Sequence, residues 1–91
     1  MTRETYLEVT YRKGKPLAAY LHLPRQGAEE EVASTRKAAP GLVVDFAADG
    51  RPLGVEIVSP QTATLQQVND LLTELHQQTL AAGELAPLQA G

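Results

Sequence analysis

Residues 41–60, GLVVDFAADGRPLGVEIVSP, decide the fold of this chain. On both sides of Asp49-Gly50 apolar residues recur at every second position, which is the period of a strand with one buried face. Asp-Gly tolerates the positive φ angles of a type I′ turn, so we predict a hairpin with these two residues at its turn. The register that this turn implies pairs Leu42 with Ile57, Val44 with Val55 and Phe46 with Leu53, all on one face.

The opposite face of the same hairpin carries both acidic and apolar residues. In this register Asp45 lies opposite Gly54, and Val43 lies opposite Glu56. A shift by one residue would exchange the two faces and set Asp45 against Leu53, so the pattern favours the register given above.

Two further strands are predicted before this hairpin. Residues 5–11 and 17–23 both alternate, and Arg12-Lys13-Gly14-Lys15-Pro16 between them reads as a turn. We expect an antiparallel hairpin whose register stays open, because a two-residue loop at Lys13-Gly14 would mix the faces. Residues 32–37 are polar and predict a short third strand at or near a sheet edge.

A helix is predicted after Pro60. Thr64 and Gln67 have the spacing of a capping box, and apolar or small residues follow at helical spacing: Leu65, Val68, Leu72, Leu75 and Thr79. Gly83 is placed to end the helix near Ala82. The expected fold is therefore α+β, an antiparallel sheet of four to five strands built from two β-hairpins with one C-terminal helix packed on one face. Residues 1–83 form the single domain, and residues 84–91 form a flexible tail.

Composition narrows the classes of function. The chain has 91 residues and no cysteine, which excludes disulfides, thiolate metal sites and cysteine nucleophiles. Its net charge is −3, and no Lys or Arg follows Arg51, so nucleic acid is a disfavoured partner. No apolar run approaches the ~20 residues that span a bilayer, and the N-terminus lacks a signal peptide's apolar core. We expect a cytoplasmic protein with no membrane partner.

Several short runs resemble the YuzE-like family of small bacterial domains of unknown function. They are Tyr20-Leu21-His22-Leu23, Val44-Asp45-Phe46, Asp49-Gly50-Arg51 and Gly54-Val55-Glu56-Ile57. The resemblance covers residues 6–59. It departs from the family in the first turn, where acids are replaced by Arg12-Lys13-Gly14-Lys15, and at Ala47, where relatives carry an acid. The family implies no established activity; its members resemble small partner proteins found beside putative toxin genes, which implies an antitoxin-like role.

Asp45 and Glu56 are the candidate ligand-binding residues. Their diagonal positions on one face put their backbones about 7–8 Å apart, a spacing that a cation or an acid/base pair can use. The alternative is that both carboxylates only solvate an exposed sheet face. His22 and His76 are isolated from each other in sequence and have no metal-ligand spacing, so we predict no metal site, no cofactor and no catalytic residue.

One helix covers only one face of a sheet, which leaves the other face for contacts. We predict an interaction surface made by Val43, Gly54, Val58 and Tyr20. The expected function is a non-catalytic protein-interaction module that self-associates as a homo-oligomer, with a dimer as the first guess, and that takes a protein partner. The alternative is a small-ligand or metal-binding enzyme that uses Asp45 and Glu56.

Overall fold

The computed structural model describes residues 5–24, 31–60 and 63–89, which form a mixed α+β fold. Five strands form one antiparallel sheet in the order β1-β2-β5-β4-β3. The elements are β1 (Tyr6–Arg12), β2 (Lys15–His22), β3 (Ser34–Ala39), β4 (Leu42–Phe46), β5 (Pro52–Ile57), α1 (Leu65–Glu74) and α2 (Ala82–Gln89). The predicted α+β class and antiparallel sheet are confirmed, and no helix of the described residues is long and apolar enough to cross a membrane.

The register of the β4–β5 hairpin is confirmed over most of its length. Leu42 pairs with Ile57, Val43 with Glu56, Val44 with Val55 and Asp45 with Gly54. The predicted pairing of Phe46 with Leu53 is wrong, because Phe46 pairs with Pro52 and a bulge leaves Leu53 as the extra residue of β5. Both side chains nevertheless contribute to the core side: Leu53 is fully buried, and Phe46 packs against the core.

The turn of this hairpin also differs from the prediction. Gly50 donates to the carbonyl of Ala47 at 3.0 Å, and Ala47 donates to the carbonyl of Arg51 at 2.8 Å. Only Gly50 has a positive φ, +91°, whereas a type I′ turn would need one at Asp49 as well. The loop therefore has three residues, a type I turn followed by a left-handed glycine, and the bulge at Leu53 restores the register beyond it.

The type I′ turn occurs instead in the first hairpin. Arg12 pairs with Lys15, and both residues between them are left-handed, with φ of +53° at Lys13 and +79° at Gly14. A bulge between Thr10 and Tyr11 then shifts the register, so that Leu17 is half-exposed while Ala19 and Leu21 are buried. This bulge resolves the mixing of faces that left the register open in the sequence.

Lys13 occupies a backbone conformation that Asn or Gly would adopt at lower cost. We expect Lys13→Asn to raise the free energy of unfolding by about 0.5–1 kcal/mol, because a left-handed non-glycine residue costs about 1–2 kcal/mol and Asn is favoured at this turn position. Urea unfolding followed by circular dichroism measures it. Lys13→Gln is the matched control, since it removes the same charge at the same position but introduces a residue that does not favour a left-handed backbone; an equal gain there would contradict the backbone explanation.

The third strand lies at the sheet edge, as predicted. β3 pairs with β4 alone, and its first four residues, Ser34, Thr35, Arg36 and Lys37, are all exposed. β3 and β4 are joined directly at Pro40-Gly41, which makes a third hairpin in addition to the two that were expected. Charged residues on an edge strand discourage pairing with other chains.

Helix α1 begins as the sequence indicates. The backbone N–H of Gln67 donates to Thr64 Oγ1, and the backbone N–H of Thr64 donates to Gln67 Oε1, both at 3.1 Å. This is the predicted capping box. Val68, Leu71 and Leu72 are buried in the same core cluster as Val44, Val55 and Ile57, so the helix covers one face of the sheet.

The predicted end of that helix is wrong. α1 stops at Glu74, and His76 takes a left-handed φ of +59°. The backbone N–H of Gln77 donates to the Leu72 carbonyl at 2.8 Å, and that of His76 donates to the Thr73 carbonyl at 3.1 Å. These two bonds form a Schellman motif. The usual glycine is absent from it, which is why the sequence did not mark the end.

A second helix follows where the sequence predicted a helix end and a tail. The side chain of Asn69 holds the returning chain, since its Oδ1 accepts from Leu80 N at 2.8 Å and its Nδ2 donates to the Leu80 carbonyl at 3.0 Å. α2 then includes Gly83, so a single C-terminal helix ending at Ala82 is wrong. Leu85 of α2 is 1% exposed and belongs to the core, beyond the predicted boundary at residue 83.

Candidate functional site

The sheet face opposite the helices carries the candidate site, and we call it the open face. The registers align its side chains in two rows that cross all five strands. The first row is Tyr6, His22, Gly54, Asp45 and Thr35. The second row is Glu8, Tyr20, Glu56, Val43 and Lys37.

Asp45 is the centre of a hydrogen-bond network on this face. Tyr20 Oη donates to Asp45 Oδ2 at 2.8 Å, and Thr35 Oγ1 donates to Asp45 Oδ1 at 2.8 Å. The donors come from β2 and β3, on either side of the carboxylate. Hydrogen bonds to an ionised acceptor are stronger than those between neutral groups. The network therefore ties β3 to β4 by side chains as well as by backbone. It ties β2 to β4 by side chains alone, because β5 lies between those two strands.

Gly54 makes the Tyr20 contact geometrically feasible. Tyr20 lies on β2 and Asp45 on β4, so the phenol ring must cross the intervening strand β5. It does so directly above Gly54, where a Cβ atom would overlap the end of the ring. A glycine within a strand often marks such a close approach. The missing side chain lets the Tyr20 ring extend over β5 to Asp45.

A second cluster lies at the β1 end of the open face. The rings of Tyr6 and His22 stack with centroids 4.3 Å apart, and Tyr20 meets His22 edge-on at 4.7 Å. His22 Nε2 lies 2.8 Å from Glu8 Oε1. The open face is thus covered by aromatic rings and polar groups that hold one another in place from β1 to β3.

The predicted ligand residues, Asp45 and Glu56, both lie on the expected face but differ in burial and in hydrogen bonding. Asp45 lies opposite Gly54, and Glu56 lies opposite Val43, as predicted. Asp45 is half-buried, and each of its oxygens accepts a hydrogen bond, whereas Glu56 is exposed. Within the described residues no three His, Asp or Glu side chains converge as metal ligands. Binding of a ligand by Asp45 and Glu56 stays a prediction. In the structure Asp45 holds the side chains of Tyr20 and Thr35 in place.

The predicted contact residues also lie on or next to this face. Val43 is half-buried and Gly54 is buried. Val58, which follows β5, is 47% exposed. Tyr20 is half-buried and bonded to Asp45. Local sequence patterns did not indicate Tyr6, Glu8, His22 and Thr35 as site residues, because their positions depend on strand registers that those patterns do not specify.

A shallow groove of about 500 Å³ lies at the β4–β5 turn. Its lining includes Ala33, Ala47 and the ion pair in which Arg51 Nε donates to Asp49 Oδ2 at 2.6 Å. That side-chain hydrogen bond, together with one from the backbone N–H of Arg51, lowers the pKa of Asp49 below its usual 3.8.

The pKa of Asp49 gives a test of this ion pair. Because the pKa is lower in the folded than in the unfolded chain, the stabilisation is complete above the unfolded pKa and is lost as the pH falls through the folded pKa. We expect NMR titration of the Asp49 carboxyl carbon to give a midpoint below 3.8, and Arg51→Gln to raise it. Arg36→Gln is the control, and an unchanged midpoint in Arg51→Gln would contradict the assignment.

Comparison with protein families gives a match over part of the chain. The model of a family of proteins of unknown function, DUF2283, matches residues 18–59. No curated protein and no solved structure matches the chain. The DUF2283 match runs from β2 to the end of β5, so it contains Tyr20, Thr35, Asp45 and Gly54. It does not include β1 or either helix.

Proposed function

We propose that this protein is a non-catalytic protein-interaction module that self-associates by pairing the open faces of two copies. The observation that carries the proposal is the Tyr20 ring held across Gly54 by Asp45. It makes an ordered, mostly aromatic and polar surface on the sheet face opposite the core. Surfaces that are organised before binding lose less conformational entropy when they associate.

The charges of the second row favour a second copy of the chain as the binding partner of the open face. Glu8 lies at the β1 end of this row and Lys37 at its β3 end. A twofold axis parallel to the strands would place β1 of one copy above β3 of the other. Each Glu8 would then meet a Lys37 of the other copy, twice per dimer. Such an interface is self-complementary, as a twofold dimer requires.

Exposed apolar groups on the open face support the same proposal. Tyr6 is 49% exposed and Val58, which follows β5, is 47% exposed; Val43 is half-buried. Four strand spacings of about 4.8 Å and five residues at about 3.3 Å give a face of about 320 Å². This area lies below the ~800 Å² per partner of a standard interface, so we expect micromolar affinity.

Val58→Arg tests the proposal. We expect the dissociation constant of the dimer to rise about tenfold, because the arginine introduces a charge into an apolar contact between like copies. Light scattering during size-exclusion chromatography over a concentration series measures it. Val32→Arg is the matched control, since Val32 is 48% exposed and lies outside the open face.

Two outcomes would contradict the proposal in different ways. A wild-type protein that stays monomeric up to about 500 µM would contradict self-association. Equal weakening by Val58→Arg and Val32→Arg would contradict the open face as the interface. Circular dichroism of both variants shows whether each keeps the fold.

The resemblance to YuzE-like domains extends the proposal to an antitoxin-like role. Tyr20-Leu21-His22-Leu23 and Gly54-Val55-Glu56-Ile57 carry that resemblance, and both runs border the Asp45 network. In this role the module would bind a protein partner. Use of Asp45 and Glu56 by an enzyme has less support, because both oxygens of Asp45 already accept hydrogen bonds.

A further inference from the structure

The tip of the first hairpin extends beyond the rest of the sheet. β5 pairs with β2 only from Ala19 to His22, whereas β1 and β2 stay paired as far as Arg12 and Lys15. Residues 11–17, which we call the cationic tip, therefore form a two-stranded ribbon past the end of β5. Six of its seven residues are exposed, and Pro16 is buried.

The cationic tip concentrates positive charge that the fold leaves unpaired. Arg12, Lys13 and Lys15 are exposed, and in the part of the chain that the structure describes none of them forms an ion pair. Arg12 and Lys15 lie directly opposite each other, an arrangement that destabilises a hairpin. Lys13 adds a left-handed backbone at φ +53°. Three cations are thus held together at some cost to local stability.

Apolar side chains flank these cations. Tyr11 is 54% exposed and Leu17 is 51% exposed, on the two strands of the ribbon. A phosphate backbone would pair with the cations but would leave Leu17 without an apolar contact. The remainder of the chain is acidic, since every charged residue after Arg51 is Asp or Glu, and would repel a long polyanion. A short acidic segment with aliphatic side chains satisfies both the charges and the exposed apolar side chains.

We propose that the cationic tip is a docking site for an acidic, leucine-bearing segment of a partner protein. The acidic groups contact Arg12, Lys13 and Lys15, and the aliphatic groups cover Tyr11 and Leu17. This site is separate from the open face and does not depend on self-association. It gives the module one surface for a second copy and another for a different protein.

The test is an NMR titration of the full chain with three synthetic probes of equal net charge. They are a polyglutamate peptide, a glutamate peptide with leucine at every third position, and a single-stranded oligonucleotide. We expect the leucine-bearing peptide to shift the amide signals of residues 11–17 and to bind several-fold more tightly than either other probe. Leu17→Thr should reduce its advantage over polyglutamate.

Matched charge variants complete the experiment. Arg12→Thr with Lys15→Thr should weaken binding of the leucine-bearing peptide about tenfold, the expected effect of losing two exposed ion pairs. Arg36→Thr with Lys37→Thr changes the net charge equally on β3 and should weaken it little. The proposal is overturned if the peptide does not shift the tip, if the oligonucleotide binds as tightly, or if both double variants weaken binding equally. The open-face variant Val58→Arg should bind the peptide normally.

Discussion

Leu85→Ala is expected to lower the free energy of unfolding by about 3 kcal/mol. Leu85 is 1% exposed and packs in the same cluster as Val68 and Leu72, so the truncation removes buried carbon atoms and leaves a cavity. A domain of this size has about 5–10 kcal/mol of stability. The loss is therefore a large fraction of the total, and the melting temperature should fall by more than 10 °C.

Leu17→Ala is the control for this measurement. Leu17 is 51% exposed, so the same chemical change should cost about 0.5 kcal/mol or less. Chemical unfolding of both variants gives the comparison. If Leu85→Ala is as mild as Leu17→Ala, then α2 does not contribute to the core. A chain ending at residue 83 should lose at least as much stability as Leu85→Ala, which tests whether residues 1–83 suffice as a domain.

The position of α2 shows where local patterns failed. Thr64 and Gln67 marked the start of α1 because a capping box is a local signal with a fixed spacing. The end of α1 carried no such mark, since His76 occupies the position that glycine usually takes. The return of the chain to the core depends on Asn69 binding the backbone of Leu80, a contact between residues eleven positions apart.

The β1–β2 and β4–β5 hairpins also show which features local patterns predict and which they do not. Alternation around Asp49-Gly50 was sufficient to predict four pairs of the β4–β5 register, because a shift by one residue would have exposed the core side. It was not sufficient to choose the loop, since Asp-Gly suits both a two-residue turn and a three-residue loop whose last residue is glycine. The bulge at Leu53 restores the register beyond the three-residue loop. In the first hairpin the bulge leaves Leu17 as the extra residue of β2, and sequence patterns did not mark either bulge.

The candidate site could be predicted only in part. Asp45, Gly54 and Tyr20 were each placed on the face away from the core, from alternation alone. Their mutual contact requires β2 to lie beside β5, a pairing of strands that are distant in sequence. Nothing local specifies that neighbour relation, so the reach of Tyr20 across Gly54 became visible only in the structure.

Gly54→Ala is expected to destabilise the protein by about 1.5 kcal/mol, although alanine ordinarily stabilises a strand relative to glycine. The new Cβ would overlap the end of the Tyr20 ring, so the ring must move away and its hydrogen bond to Asp45 is lost. A hydrogen bond to a charged acceptor contributes about 1.5–3 kcal/mol. The lower backbone entropy of alanine offsets only about 0.5–1 kcal/mol of that loss.

The residue at position 20 should decide whether Gly54→Ala destabilises or stabilises the protein. In Tyr20→Ala no ring lies above β5, so Gly54→Ala should become stabilising by about 0.5 kcal/mol. In Tyr20→Phe the ring remains while the hydroxyl is gone, and Gly54→Ala should stay destabilising through the steric overlap alone. Urea unfolding of the single and double variants completes the cycle. The same destabilisation in all three backgrounds would mean that the ring does not lie above Gly54, and the proposed organisation of the open face would then be wrong.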